Sequence, residues 1–367
     1  MMITVFFYSF VVFTVIQIIY YIAFSSFLFT PKNINEEGIE KPISVIIFAK
    51  NQAKNLEKLL PTIINQDYSK FEIVLINNAS IDNTEEVLEN FSKNYKNIKV
   101  LEVENNEAFW ANKKYALTLG IKAAKYDHLL FTNADSKPVS KNWISNFNQK
   151  FNNHKTIILG YHKFEKEKSL FNLFIRFENL IQAIKCFGFA HLGNSFMAFH
   201  GNFAYHKTEF FKVKGFINHI KIKKGESNLF IKDASNKENT IICIGENSFT
   251  KTKAPKSFST WFLEKRNNAI ISKKYKPKHQ ILLALFTISK LFFYVFASIL
   301  FFFYSYKIML GFVIAYFLIQ YIVVGIASKK LKEPYLLFFL PFLEIGLLLI
   351  QISIFIANLI SKPDHWK

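Results

Sequence analysis

Apolar residues follow two different rhythms along this chain. At both ends they run almost without interruption. Residues 3–29 hold only scattered Ser, Thr, Gln and Tyr among aliphatic and aromatic side chains, and 281–304, 308–327 and 335–360 are similar. Each run is long enough to cross a bilayer as a helix, which takes about 20 residues. The first has neither a basic n-region nor a small-residue cleavage site, so it reads as an anchor rather than a removable signal. Lys290 interrupts the second run, and Pro341 and Glu344 interrupt the last. These read as a snorkelling lysine, a kink and an interface glutamate. Tyr20, Tyr21, Tyr304 and Trp366 sit near run ends, where aromatic belts form.

Between these runs the apolar residues come in short blocks. Strands are predicted at Ile43–Ala49 (ISVIIFA), 71–76 (FEIVLI), Ile98–Val103 and 128–132 (HLLFT). Helical spacing fills the gaps: Leu56, Leu59, Leu60 and Ile63, then 84–91 with Thr84 as N-cap, then 112–125. Strands alternating with helices predict an α/β fold with a mostly parallel, doubly wound sheet. Such sheets bind ligands beyond the carboxyl ends of their strands, here 77–80 and 133–135. After Gly160 the pattern changes. Residues 169–187 and 257–272 read as amphipathic helices, the first capping the core or facing the membrane. Phe109 and Trp110 read as packing residues.

Composition sharpens the division. The chain has 367 residues, 51% of them hydrophobic and 43 of them Phe, which excludes a wholly soluble or a disordered protein. Two Cys exclude a disulfide scaffold. Residues 1–30 carry no charge, and residues 31–279 hold 39 basic against 24 acidic side chains, a net of +15. Only Arg176 and Arg266 are Arg, and no zinc-finger spacing occurs, which argues against a nucleic-acid partner. The positive charge suits lipid head groups or phosphorylated substrates. His191, His200 and His206 share no ligand spacing and are assigned no metal. Lys329, Lys330 and Lys332 between the last two runs set the orientation. They predict a multi-pass plasma-membrane protein with 1–30 as anchor, 31–279 cytoplasmic, three spans in 280–367 and the C-terminus outside.

Several segments resemble a family-2 glycosyltransferase. Residues 42–49, 55–60, Asn65-Gln66-Asp67, 71–80 and Asp82 are similar to its opening, including Ala49, Asn51 and Asn78. The run Thr132-Asn133-Ala134-Asp135-Ser136-Lys137-Pro138 resembles its metal-binding Asp-x-Asp segment. Residues 201–205, continuing to 215–216, resemble its acceptor segment, 225–231 its catalytic-base segment, and 261–266 its basic membrane-proximal helix. The resemblance covers about residues 42–279. It implies a GT-A fold and inverting transfer from a nucleotide-sugar donor to a lipid-linked or envelope glycan.

The same resemblance implies the roles. Asp135 would hold Mg2+ or Mn2+, which neutralises the departing diphosphate. Glu226 would be the base. Ala49, Asn51, Asn78, Lys113, Lys114, Asn133, Lys265 and Arg266 would face the donor, and Asn202 and Trp261 the acceptor. The chain departs from the family pattern where Asn77 and Asn78 replace an Asp pair, Asn133 an Asp, Ser227 a carboxylate and Gly201 an Arg. Each change removes charge. A carbonyl still ligates a hard cation, but without negative charge. Two readings follow: an active transferase, or a catalytically silent relative that binds a protein or glycan partner.

Overall fold

A computed structural model of the chain describes residues 2–30, 39–104 and 113–361; Phe109, Trp110 and Trp366 lie outside them. Helix α1 (Met2–Ser25) and a short 3-10 turn (Ser26–Phe29) precede the domain. There β1 (Ile43–Ala49), α2 (Ala53–Ile64), β2 (Phe71–Asn78), α3 (Thr84–Asn94), β3 (Ile98–Val103), α4 (Lys113–Ala123) and β4 (His128–Asn133) alternate. They are followed by β5 (Lys137–Pro138), α5 (Trp143–Asn148), β6 (Ile157–Gly160), β7 (His162–Phe164), α6 (Leu170–His191) and β8 (Phe203–His206). Then come α7 (Lys207–Lys212), α8 (Glu226–Ala234), β9 (Thr240–Cys243), β10 (Thr250–Thr252) and α9 (Phe258–Ser272). The chain ends in α10 (Pro277–Phe303), α11 (Tyr306–Lys330), a 3-10 turn (Pro334–Phe339) and α12 (Leu340–Ile360).

Seven strands form one sheet in the order β3-β2-β1-β4-β8-β6-β9. β1 runs parallel to β2 and β4, and β8 is antiparallel to both of its neighbours. All eight residues of β2 are buried, so it shows no polar-apolar alternation. Two strands run further than the apolar blocks predict, to Asn78 and Asn133. Ladder pairing carries on past the hydrophobic residues, Asn77 opposite Glu102 and Phe48 opposite Asn133. The polar side chains are thereby held at the rim. A second sheet, β5-β10-β7, lies beside it.

One apolar cluster extends from this sheet into the terminal helices, and α6 is its bridge. On one side Phe187 packs on Tyr161, which precedes β7. On the other, the Phe189 ring lies 5.0 Å from Phe24 and the Phe187 ring 5.9 Å from Phe27. The helix thus caps the core, as one of the two predicted roles has it, and also packs on the first apolar run.

Among the described residues, four segments are long and apolar enough to cross a membrane: Met2–Phe29, Pro277–Phe303, Tyr306–Lys330 and Pro334–Ile360. Helix α1 packs on α10 and α11. Lys290 does not snorkel. Its Nζ lies 2.5 Å from Glu344 Oε1, and both are buried. Tyr316 and Tyr294 donate to the same carboxylate at 2.9 and 2.8 Å. A charge in an apolar bundle needs this degree of pairing.

The last apolar run is tied at both ends to helices of the domain. Before it, Glu333 is buried against Arg176 of α6, with Nε to Oε1 at 3.3 Å. After it, Arg266 of α9 donates to the carbonyls of Ala357 and Ser361 at 3.0 and 2.5 Å. In between, α12 packs on α9 and α6. Breaking the Arg176–Glu333 pair leaves a buried carboxylate alone, at a cost of about 3–5 kcal/mol. Arg176→Ala is expected to lower the thermal midpoint in detergent strongly, and the Arg176→Met, Glu333→Leu double variant to recover most of it.

Candidate active site

The carboxyl ends of β1 and β2 make one wall. Two non-glycine residues there adopt left-handed backbone, Asn51 (φ 54°) and Ala79 (φ 47°). Each costs about 1–3 kcal/mol and persists only where its surroundings impose it. Here a chain of hydrogen bonds does so. Asn51 N donates to Ser80 Oγ at 3.0 Å, and Ile81 N to Asn51 Oδ1 at 2.9 Å. Ser80 Oγ donates to Asn77 Oδ1 at 2.5 Å, and Asn77 Nδ2 to Glu102 Oε2 at 2.7 Å. Asn77 is therefore spent on structure, while the buried Asn78 Nδ2 has no partner among the described residues. Ala49 closes β1 beneath this wall. Glu102, which the sequence reading missed, brings a carboxylate whose pKa is raised by burial. Its only signal is its place opposite Asn77, and the ladder register alone reveals that.

The end of β4 makes the second wall. Asp135 is exposed and accepts from Ser136 Oγ at 3.0 Å. Asn133 beside it is half-buried. Gly201 packs against Asn133 and His162: a Cβ there would fall 2.9 Å from His162 Nδ1 and 3.1 Å from Asn133 Nδ2. Only glycine admits the imidazole at that distance. His162 is pushed down to about 4 by burial, with Asp135 opposing, so the ring is neutral at neutral pH. An exposed carboxylate beside an amide carbonyl is a donor set that suits Mg2+ or Mn2+. Among the described residues no three His, Cys, Asp or Glu side chains enclose a metal by themselves. A cation here would draw its remaining ligands from phosphate oxygens and water.

The third wall is the start of α8. Gly225 (φ +80°) turns the chain so that Glu226 heads the helix. Burial pushes the Glu226 carboxyl up, but the Lys113 ammonium 2.7 Å away more than offsets this and holds it well below the usual range. Lys113 also reaches His200 Nε2 at 2.5 Å and lies 5.0 Å from the Phe48 ring centre. The same His200 Nε2 lies 3.2 Å from Glu226 Oε1, and His200 Nδ1 is buried without a hydrogen-bond partner among the described residues. His200 itself is pushed down to about 4 by burial, then by Lys113. A small apolar cavity lined by Phe131, Phe203, Tyr205, Phe216 and Phe230 lies under Glu226 and His200 and accounts for that burial. Ser227 lines the same cavity.

Other sequence-predicted residues are engaged elsewhere. Lys114 is buried and donates to the carbonyls of Ile222 and Lys224, bracing the loop before α8; burial pushes it down to about 8. Lys265 pairs with Glu178 of α6 at 2.6 Å. Arg266 caps the end of α12. Asn202 is fully satisfied inside the core, donating to the carbonyls of Tyr161 and Ser248 at 2.8 Å and accepting from Trp143 at 2.9 Å. Trp261 is enclosed by Phe171, Phe174 and Phe258. Of the residues singled out, the structure groups Asn133, Asp135, Lys113 and Glu226, and adds His162 and His200.

His128, His162, His200 and His219 are all pushed down to about 4, first of all by burial. Unfolded, each takes up a proton near pH 6.5. The unfolded chain therefore binds more protons as pH falls below about 6.5, and stability declines from there toward pH 4. The thermal midpoint in detergent is expected to fall between pH 7 and pH 5, and His200→Gln to flatten that fall.

Residues 44–214 match the family model described as Glycosyl transferase family 2. The chain is 32% identical over 94 residues to a poly-beta-1,6-N-acetyl-D-glucosamine synthase of Staphylococcus epidermidis, covering 26% of this chain and 22% of that protein. It is 33% identical over 98 residues to glycosyltransferase AglE of Haloferax volcanii, covering 26% of this chain and 31% of that one. The chain thus spans less than a third of the length of these relatives. In fold it is similar to the mannosyltransferase PcManGT of Pyrobaculum calidifontis, solved with GDP-Man and Mn2+, with a TM-score of 0.58 at 14% identity over 98% of this chain and 99% of that one. Residues 44–214 thus resemble a glycosyl transferase family 2 domain, with a fold similar to GT-A enzymes and long apolar helices on both sides.

Proposed function

We propose that the chain is a membrane-bound inverting glycosyltransferase. It moves a sugar from a nucleoside-diphosphate donor to a hydroxyl of a lipid-linked or envelope glycan. The observation that carries this reading is the Lys113–Glu226 pair at 2.7 Å, with His200 Nε2 3.2 Å from the same carboxylate, in a cleft whose β4 rim carries Asp135. Asn78, with its unpartnered amide, faces the nucleoside end of the donor. Asp135 and Asn133 would hold Mg2+ or Mn2+, and that ion would neutralise the diphosphate as it leaves.

The chain's own groups divide the remaining work. Lys113 is the movable charge. It rests on Glu226 and can swing toward a donor phosphate. While Lys113 is close, the Glu226 carboxylate is a weak base. A diphosphate that draws the ammonium away lets its basicity rise, and the carboxylate then takes the proton of the attacking hydroxyl. The aromatic floor beneath Glu226 keeps water from that step.

The silent-relative reading rests on Asn77, Asn78, Asn133 and Ser227. Calorimetry of the full chain in detergent with UDP and GDP separates the two. An active donor site binds one of them at micromolar strength with Mn2+ and much more weakly without it. Asp135→Ala is expected to abolish that metal dependence. Glu226→Gln is expected to leave binding intact and reduce transfer at least a hundredfold. Absence of nucleotide binding under all conditions supports the silent relative.

We further propose that residues 31–279 lie on the cytoplasmic face of the plasma membrane and that the last apolar run returns to that face instead of crossing. The support is that Glu333 before it and Ser361 after it are both bonded to α6 or α9. A tag after Lys367 is then expected to be protected in intact cells together with one placed in the domain. Labelling of the C-terminal tag alone from outside overturns the arrangement and restores a third span.

A further inference from the structure

His162 was assigned no role by sequence, and its surroundings give it one. Thr250 Oγ1 donates its single hydrogen to the Gly201 carbonyl at 3.0 Å, because a carbonyl can only accept. The 2.8 Å contact between Thr250 Oγ1 and His162 Nδ1 must then use a hydrogen on the ring. The proton sits on Nδ1, and Nε2 carries a lone pair. Nε2 has no polar partner among the described residues and is not sealed off from solvent.

Two further features hold the imidazole at the Asp135 end of the cleft. Thr250 of β10 pairs with His162 of β7 on one side and with Pro138 of β5 on the other, so one small sheet fixes the imidazole and the strand that follows Asp135. Gly201 leaves room for the ring against Asn133: a Cβ there would meet His162 Cε1 and Asn133 Nδ2 at 3.1 Å each. The departures at 133 and 201 are thus linked through His162.

Resting on the donor-site reading above, we infer that His162 Nε2 and the Asp135 carboxylate together ligate the divalent cation, the imidazole standing in for the carboxylate absent at Asn133. Two protein ligands leave the other positions to diphosphate oxygens and water. A nitrogen donor also disfavours Mg2+ more than Mn2+, because Mg2+ demands oxygen ligands in a near-ideal octahedron while Mn2+ is a first-row transition metal that tolerates one imidazole.

The test is electron spin-echo spectroscopy of Mn2+ bound to the full chain in detergent with UDP, then GDP. Modulation from a directly bound 14N is expected. It should become a 15N pattern when the protein is labelled with 15N-histidine, an experiment that needs no substitution. His162→Gln should lose the nitrogen signal and weaken Mn2+ at least tenfold, with a smaller change for Mg2+. Thr250→Val, which frees the tautomer without emptying the core, should weaken Mn2+ several-fold. A Mn2+–nucleotide complex with no nitrogen coupling overturns this inference and leaves the proposed function standing. Nitrogen coupling that survives in His162→Gln also overturns it, since another residue would be the ligand. If neither nucleotide binds with Mn2+, the donor-site reading falls and this inference with it.

Discussion

The structure depends on the two faces of α6. A soluble sheet and a set of apolar helices each need to hide a greasy surface, and α6 supplies a partner to both at once. Phe187 touches Tyr161 on the sheet side and Phe27 on the other. The same helix contributes Arg176 and Glu178, whose partners Glu333 and Lys265 fix the last apolar run and α9. Apolar burial is non-directional, and these ion pairs set how the buried surfaces are oriented.

Charge within the site has been redistributed more than removed. Asn77 carries no charge, yet Glu102 on the neighbouring strand brings a carboxylate to it. Asn133 carries none, yet His162 closes on the same Gly201 that Asn133 flanks. Glu226 keeps its charge in a buried setting because Lys113 does so too. A buried lone charge is expensive, and each acid that remains is matched by a cation, a donor or solvent. Reading one position at a time counts losses; reading neighbours across strands finds the compensation.

Much of the scaffold was legible in the sequence. Ile43–Ala49 and Ile98–Val103 form the strands that their apolar blocks predict, and the amphipathic stretches form α6 and α9. Local patterning sufficed because strands buried on both faces must be apolar throughout and a helix between two layers must show its stripe. Asn133, Asp135 and Glu226 stand out in the sequence because their segments keep the order and spacing of a family they resemble. Lys265, Arg266, Asn202 and Trp261 were drawn from the same resemblance, and each has its polar or aromatic surface used in packing instead. Spacing cannot report whether a side chain's bonds are already spent.

What the sequence determined by itself is therefore the alternation of buried strands and covering helices, the apolar segments at both ends, and the polar rim where strands stop. Those follow from local periodicity, which each segment carries alone. Only the tertiary structure decided that Lys113 neutralises Glu226, that His162 and Asn133 both close on Gly201, that Lys290 finds Glu344 and that α12 folds back onto α9. Each joins residues far apart in the chain, and an electrostatic or hydrogen-bonded pair exists only once packing has set the distance.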